Sequence, residues 1–287
     1  MTAPSVRPRR SASPGRALVA VAVALLLAAC GTGDDAEADP AGSTTVPGDV
    51  GAAGAGADPA GGVRGTVTVF AAASLTDVFA EVATAFEEAH PEASVTFSFG
   101  PSSGLVTQVI EGAPADVVAT ASEATMDELV EADVLDGDPV PFATNGLEIA
   151  VPPGNPGDVE GLADLADEDL VVALCAEEVP CGTFARQALA TAGVEPAIDS
   201  EEQDVRALLT KVAADEVDAG IVYRTDVVAA GDGVEGIAIP ADDDVEATYP
   251  VAVPAGAGDV DAAHAFVDLL LSDEGRALLA DAGFGPP

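Results

Sequence analysis

The chain has 287 residues, 48% of them hydrophobic, with 10 Lys+Arg against 50 Asp+Glu and a formal net charge of −40. That length and apolar content supply the core of one or two domains. The charge argues against nucleic acid or anionic lipid as the main partner, because phosphates would be repelled. The acids are spread along the whole chain beside a single lysine, Lys211, a surface that also suits life in high salt.

Arg7, Arg9, Arg10 and Arg16 precede an apolar run over residues 17–29, the pattern of a secretory signal. The run is 29 − 17 + 1 = 13 residues long, short of the ~20 that a spanning helix needs. It ends in Leu27-Ala28-Ala29-Cys30, which resembles a bacterial lipobox with Cys30 as the lipidated first residue of the mature chain. A buried or unpaired cysteine is the alternative. Cleavage there removes four arginines and no acid, so 10 − 4 = 6 cations would face 50 acids, a net charge of −44. Residues 30–63 are rich in Gly, Ala, Asp, Pro, Ser and Thr without periodicity, and are expected to be a flexible tether. The glycines from Gly51 to Gly56 lack the strand and helix that a dinucleotide motif requires.

The folded part opens with residues 67–73, an unbroken apolar and β-prone run that predicts a strand covered on both faces. Ser74 follows where an N-cap would sit, with Asp77 as a capping-box partner, and the next helix, over 78–89, carries Val78, Phe79, Val82 and Phe86 on one side. A strand–Ser–helix junction gathers N–H groups, a hydroxyl and the positive end of a helix dipole, which suits an anion; simple capping is the plainer reading. An alternating strand over 94–99 leads through Ser102 and Ser103 into a helix over 105–110. A short strand is expected at 117–120, and a helix over 122–132 with Met126, Leu129 and Val130 as its buried stripe. The alternation implies an α/β fold with largely parallel sheets. Strands are expected at 146–151, 170–174, 219–223 and 236–239, and helices at 162–165, 183–192, 204–214 and 225–229. The run over 247–253 reads as a return crossing, and helices over 260–271 and 273–282 end the chain. The result is two α/β lobes around a cleft: lobe 1 from 64–145 and 248–287, lobe 2 from 146–247.

Seven segments in order resemble the molybdate-binding proteins of bacterial ABC importers, which have the type II periplasmic-binding-protein fold. They are Val69-Phe-Ala-Ala-Ala-Ser-Leu-Thr76, Ser98-Phe-Gly-Pro-Ser-Ser103, Glu111-Gly-Ala-Pro-Ala-Asp116, Glu178-Val-Pro-Cys-Gly182, Asp204-Val-Arg206, Gly220-Ile-Val-Tyr223 and Tyr249-Pro-Val-Ala-Val253. The resemblance implies a tetrahedral oxyanion held by the hydroxyls of Ser74 and Ser102, the backbone N–H groups of Cys181 and Val205, and the phenol of Tyr223. Ser103 is the alternative to Ser102, because Pro101 stands where the family has a third serine. It further implies molybdate, and also tungstate, as ligand, no cofactor, delivery to a permease and its ATPase, and a monomer; the lipobox-like segment adds a lipid anchor at the outer face of the membrane. Sulfate or another oxyanion is the alternative ligand. Ser74, Ser102, Cys181 and Val205 each fall at or just before an expected helix start, where N–H groups lack intrahelical partners. Donors alone favour a fully deprotonated dianion over phosphate, which partly keeps a proton.

Cys175 and Cys181 are six apart in a chain that reads as exported, the pattern of a disulfide closing a loop; two buried thiols are the alternative. No His or further Cys is near enough in sequence to complete a metal site. A secreted serine hydrolase, the reading from another class, would need a histidine near Ser74 or Ser102. His90 and His264 read instead as surface or capping residues. Asp77 and Glu148 have ordinary capping and surface roles, and Tyr249 reads as structural.

Overall fold

The computed structural model describes residues 62–287. The expected signal segment, Cys30 and nearly all of the tether lie outside them. Two five-stranded sheets are built with one topology. The first contains β1 (Arg64–Ala72), β2 (Glu92–Gly100), β3 (Val117–Ala119), β4 (Val140–Asn145) and β10 (Ala247–Ala252), in the order β2-β1-β3-β10-β4. The second contains β5 (Leu147–Val151), β6 (Val172–Cys175), β7 (Ile198–Glu202), β8 (Ala219–Tyr223) and β9 (Glu235–Ala238), in the order β7-β6-β8-β5-β9.

The sheets are mixed rather than largely parallel. β1 runs parallel to β2 and β3, and β6 parallel to β7 and β8. In contrast, β10 is antiparallel to both β3 and β4, and β5 to both β8 and β9. The physical reason is the route of the chain. Strands joined by helical crossovers enter parallel, whereas β5 and β10 arrive directly from the other sheet. Gly146 alone separates β4 from β5, and a Cβ there would come within 2.6 Å of the Arg224 guanidinium and 2.9 Å of the Asp244 carboxylate, so those two side-chain ends pack over the crossing.

Helices cover the sheets: α1 (Thr76–Ala89), α2 (Ser102–Ile110), α3 (Glu123–Glu131), α4 (Pro180–Ala192), α5 (Val205–Ala213), α6 (Arg224–Ala230), α7 (Val260–Leu271) and α8 (Asp273–Asp281). In α1 the buried residues Val78, Phe79, Val82, Ala83 and Phe86 share one face, as a 3.6-residue period requires. Phe79 lies 5.9 Å from Phe142 and 6.0 Å from Phe266, between β4 and α7. The expected stripe of α3 is narrower than predicted: Met126 and Leu129 are buried, but Val130 is 47% exposed. The strands β4 and β7 were not anticipated.

Candidate functional site

Ser74, Ser102, Cys181, Val205 and Tyr223 all line one small cleft, with Ala72, Ala73, Gly100, Pro101, Ala121, Val179, Pro180 and Asp204. They come from both sheets: Ser74 and Ser102 follow β1 and β2, while Cys181, Val205 and Tyr223 follow or end β6, β7 and β8. The cleft offers about 20 Å³ to the centre of a water-sized sphere, the scale at which one small species fits.

Each residue is placed by its own local structure. Ser74 is not an N-cap. A 3-10 turn, Ala73–Leu75, intervenes before α1, and neither that turn nor α1 has a side-chain cap. The Ser74 hydroxyl instead lies 2.9 Å from the Tyr249 hydroxyl. Asp77 does not complete a capping box either; its carboxylate pairs with Arg206, joining the first turn of α1 to the first turn of α5. Ser102 is the first residue of α2 and is 2% exposed. Its Oγ accepts the Ala121 N–H at 3.0 Å, so its own proton remains for another acceptor. Ser103, one residue on, does not line the cleft.

Cys181 stands second in α4, behind Pro180 at the first position. Proline has no N–H, so Cys181 carries the first amide of that helix, and among the described residues it has no hydrogen-bond partner. The residue is bonded to Cys175 through a disulfide with a Cα–Cα distance of 5.8 Å. The loop they close is held down on its helix. Arg186 donates to the carbonyls of Cys175 at 2.8 Å and Gly182 at 3.2 Å. Gly182 admits the contact, since a Cβ there would fall 1.8 Å from the Ala176 carbonyl oxygen. Val205 opens α5. Its N-cap, Asp204, accepts the Ala207 N–H through Oδ1 at 2.8 Å and itself lines the cleft, and the Val205 N–H has no partner among the described residues.

Tyr223 ends β8 and is 1% exposed, yet its hydroxyl has no hydrogen-bond partner. Burial first, then the neighbouring Tyr249 and Asp226, hold its phenol well above the usual tyrosine range, so it stays a neutral donor. Asn145 Oδ1 and Asp226 Oδ1 are buried without a partner as well, but of the three residues only Tyr223 lines the cleft, where an incoming group could meet its hydroxyl. Behind it, Asp226 accepts the Tyr223 N–H at 3.1 Å. Burial pushes this carboxyl up to about 7, with Arg206 and the Tyr223 N–H opposing and Asp204 adding to the rise.

Several contributors were not anticipated. Tyr249 and Asn145 lie behind Ser74, with Asn145 Nδ2 3.5 Å from the Tyr249 hydroxyl and 2.8 Å from Thr225 Oγ1. Asp116, the end of one family-like segment, is structural: it accepts the N–H groups of Thr68 and Gly258, each at 2.7 Å. Neither histidine lines the cleft, so the serines have no imidazole base.

Two α/β sheets exchanging single strands, with neutral donors from both facing one small cleft, define the class: a two-lobe binding protein of the type II periplasmic kind. The chain belongs to the family of bacterial extracellular solute-binding proteins, whose profile matches residues 67–285. It is similar to the molybdate-binding protein ModA of Mycobacterium tuberculosis, with 36% identity over 80% of this chain and 88% of that protein. Among solved structures it is similar to the periplasmic molybdate-binding protein of Azotobacter vinelandii, with a TM-score of 0.69 and 20% identity over 77% of this chain and 99% of that one. The sulfate-binding protein SubI of M. tuberculosis has a TM-score of 0.70 and 22% identity over 78% of this chain and 87% of that one. At those identities the two structures speak to the fold alone. Members of this family bind solutes for transport. The protein is not an enzyme and needs no cofactor.

Proposed function

We propose that this protein captures molybdate, and also tungstate, outside the cytoplasm and delivers it to an ABC permease driven by its ATPase. In this reading the oxyanion is held by the Ser74, Ser102 and Tyr223 hydroxyls and by the Cys181 and Val205 N–H groups. Residues 64–145 with 248–287 form one lobe and 146–247 the other, and the protein acts as a monomer. Cys30 carries the lipid that ties it to the outer face of the membrane through the tether. The observation that carries this reading is the convergence of five uncharged donors, two of them amides without partners and one an orphaned buried phenol, on a cleft of single-ion size.

The chemistry follows from the donor set. Molybdate at neutral pH is a dianion without a proton, so it only accepts hydrogen bonds. The N-termini of α2, α4 and α5 add the favourable ends of three helix dipoles. Binding exchanges water for fixed donors and draws the lobes together. The relative from M. tuberculosis, molybdate-binding by name, supports molybdate over sulfate. Calorimetry with molybdate, tungstate, sulfate and phosphate tests the assignment. Tight binding of the first two is expected, and preference for sulfate would replace this ligand with the alternative.

A further inference from the structure

We propose that Tyr249 is a specificity-determining positioning residue: its phenol forces the Ser74 hydroxyl to donate toward the cleft, so that the site rejects anions that carry a proton. The inference rests on the oxyanion reading of the same cleft.

A hydroxyl has one proton and two lone pairs, so the 2.9 Å contact between Ser74 and Tyr249 could run either way. The surroundings fix its direction. Asn145 Nδ2 is directed at Thr225 Oγ1 and at the Tyr249 hydroxyl oxygen, which makes Tyr249 an acceptor from the amide. Its own proton then needs an acceptor, because the residue is fully buried and an unmade hydrogen bond there is costly. Of its two recorded hydrogen-bond contacts, Asn145 Nδ2 and the Ser74 hydroxyl, the Ser74 oxygen is the one that can accept. Burial holds the Tyr249 phenol above its usual range, so it is a neutral hydroxyl with one proton to donate. Ser74 thus spends a lone pair inward and keeps its proton for the cleft. The Ala121 N–H does the same for Ser102. Hydrogen phosphate, which must place a proton, finds both serines already set as donors.

The ring of Tyr249 is packed independently of its oxygen. It lies edge-on to Phe142, Tyr223 and Phe284 at 6.3, 5.8 and 5.5 Å, so Tyr249→Phe keeps that packing.

The test is calorimetry of wild type, Tyr249→Phe, Ser74→Ala and the double variant with molybdate and with phosphate. With Tyr249→Phe, molybdate is expected to weaken while phosphate holds or tightens, and the molybdate-to-phosphate ratio to fall about tenfold. In the Ser74→Ala background the second change should leave the ratio unaltered. Asn145→Ala, which removes the amide that sets the direction, should lower the ratio in the same sense and serves if Tyr249→Phe does not fold. Equal weakening of both anions, or the same loss of ratio without Ser74, would reduce Tyr249 to scaffolding and overturn the proposal. A wild-type protein that binds no tetrahedral oxyanion would instead refute the functional reading beneath it.

Discussion

Tyr223→Phe removes one oxygen and is expected to weaken affinity. On the proposed reading the buried phenol, 1% exposed, donates to the bound anion, and losing a hydrogen bond to a charged group costs about 1.5–3 kcal/mol. That corresponds to a Kd raised roughly 10–150-fold. Tyr223 lines a cleft that admits a water-sized species, so water can meet the same hydroxyl in the empty protein and stability there should change little. The ring still packs edge-on to Tyr249 at 5.8 Å, so repacking does not obscure the comparison. Calorimetry with molybdate, beside urea unfolding of the empty protein, separates the two effects. A variant that binds as tightly as wild type would show that the phenol does not face the ligand.

Ser102→Ala deletes a donor and also strands the Ala121 N–H, which now bonds the Ser102 oxygen. Affinity should fall by about 1.5–3 kcal/mol and the empty protein lose about 1–3 kcal/mol, both measurable in the same titrations. Reducing the Cys175–Cys181 bridge frees a loop of sequence separation six, at a cost of roughly 2 kcal/mol in urea unfolding, and should weaken binding by loosening the Cys181 N–H. Asp226 predicts a pH effect. Its folded value, about 7, lies above the ordinary aspartate value of about 3.9, so the native state holds the extra proton and stability falls as pH rises between those values. Asp226→Asn should flatten that slope relative to wild type and be the more stable protein at pH 8; parallel slopes would contradict it. Stopped-flow association with molybdate should speed up with added inert salt, because the net charge of −40 repels the approaching anion.

What could be read from the sequence follows what each element has to bury. β1 and β8 are interior strands with long apolar runs, and such runs announce themselves. β4 and β7 lie at sheet edges. β7, Ile-Asp-Ser-Glu-Glu, carries acids on a largely exposed ladder, and β4 contains Pro141, so neither shows a strand period. The mixed sheets escaped notice because a strand's direction is set by where the chain has come from, which local pattern does not encode. The cleft residues were legible as an ordered set of short segments. Ser74's actual partner was not: Tyr249 is 175 residues away in sequence, and Asn145 is 104 from Tyr249. A serine before a helix looks like a cap, and only the 3-10 turn frees its hydroxyl for another use.

On the proposed reading a polyanion holds an anion, which turns attention to what its few cations are doing. Residues 62–287 contain six Lys and Arg side chains. Five of them, Arg64, Arg186, Arg206, Lys211 and Arg224, are paired with carboxylates. None of the six lines the cleft. The nearest candidate by sequence, Arg206 beside Val205, is turned to Asp77 across the cleft. Attraction must then come from oriented N–H and O–H dipoles, whose field is short-ranged but strong where water is excluded. The surface carboxylates act over a screened distance of ~8 Å at physiological salt, so they slow the approach more than they weaken the complex. A site built on a free arginine would hold any small dianion and, by charge alone, tell them apart poorly. One built from donors whose protons are pinned by Ala121, Asn145 and Tyr249 distinguishes ligands by whether every oxygen can accept.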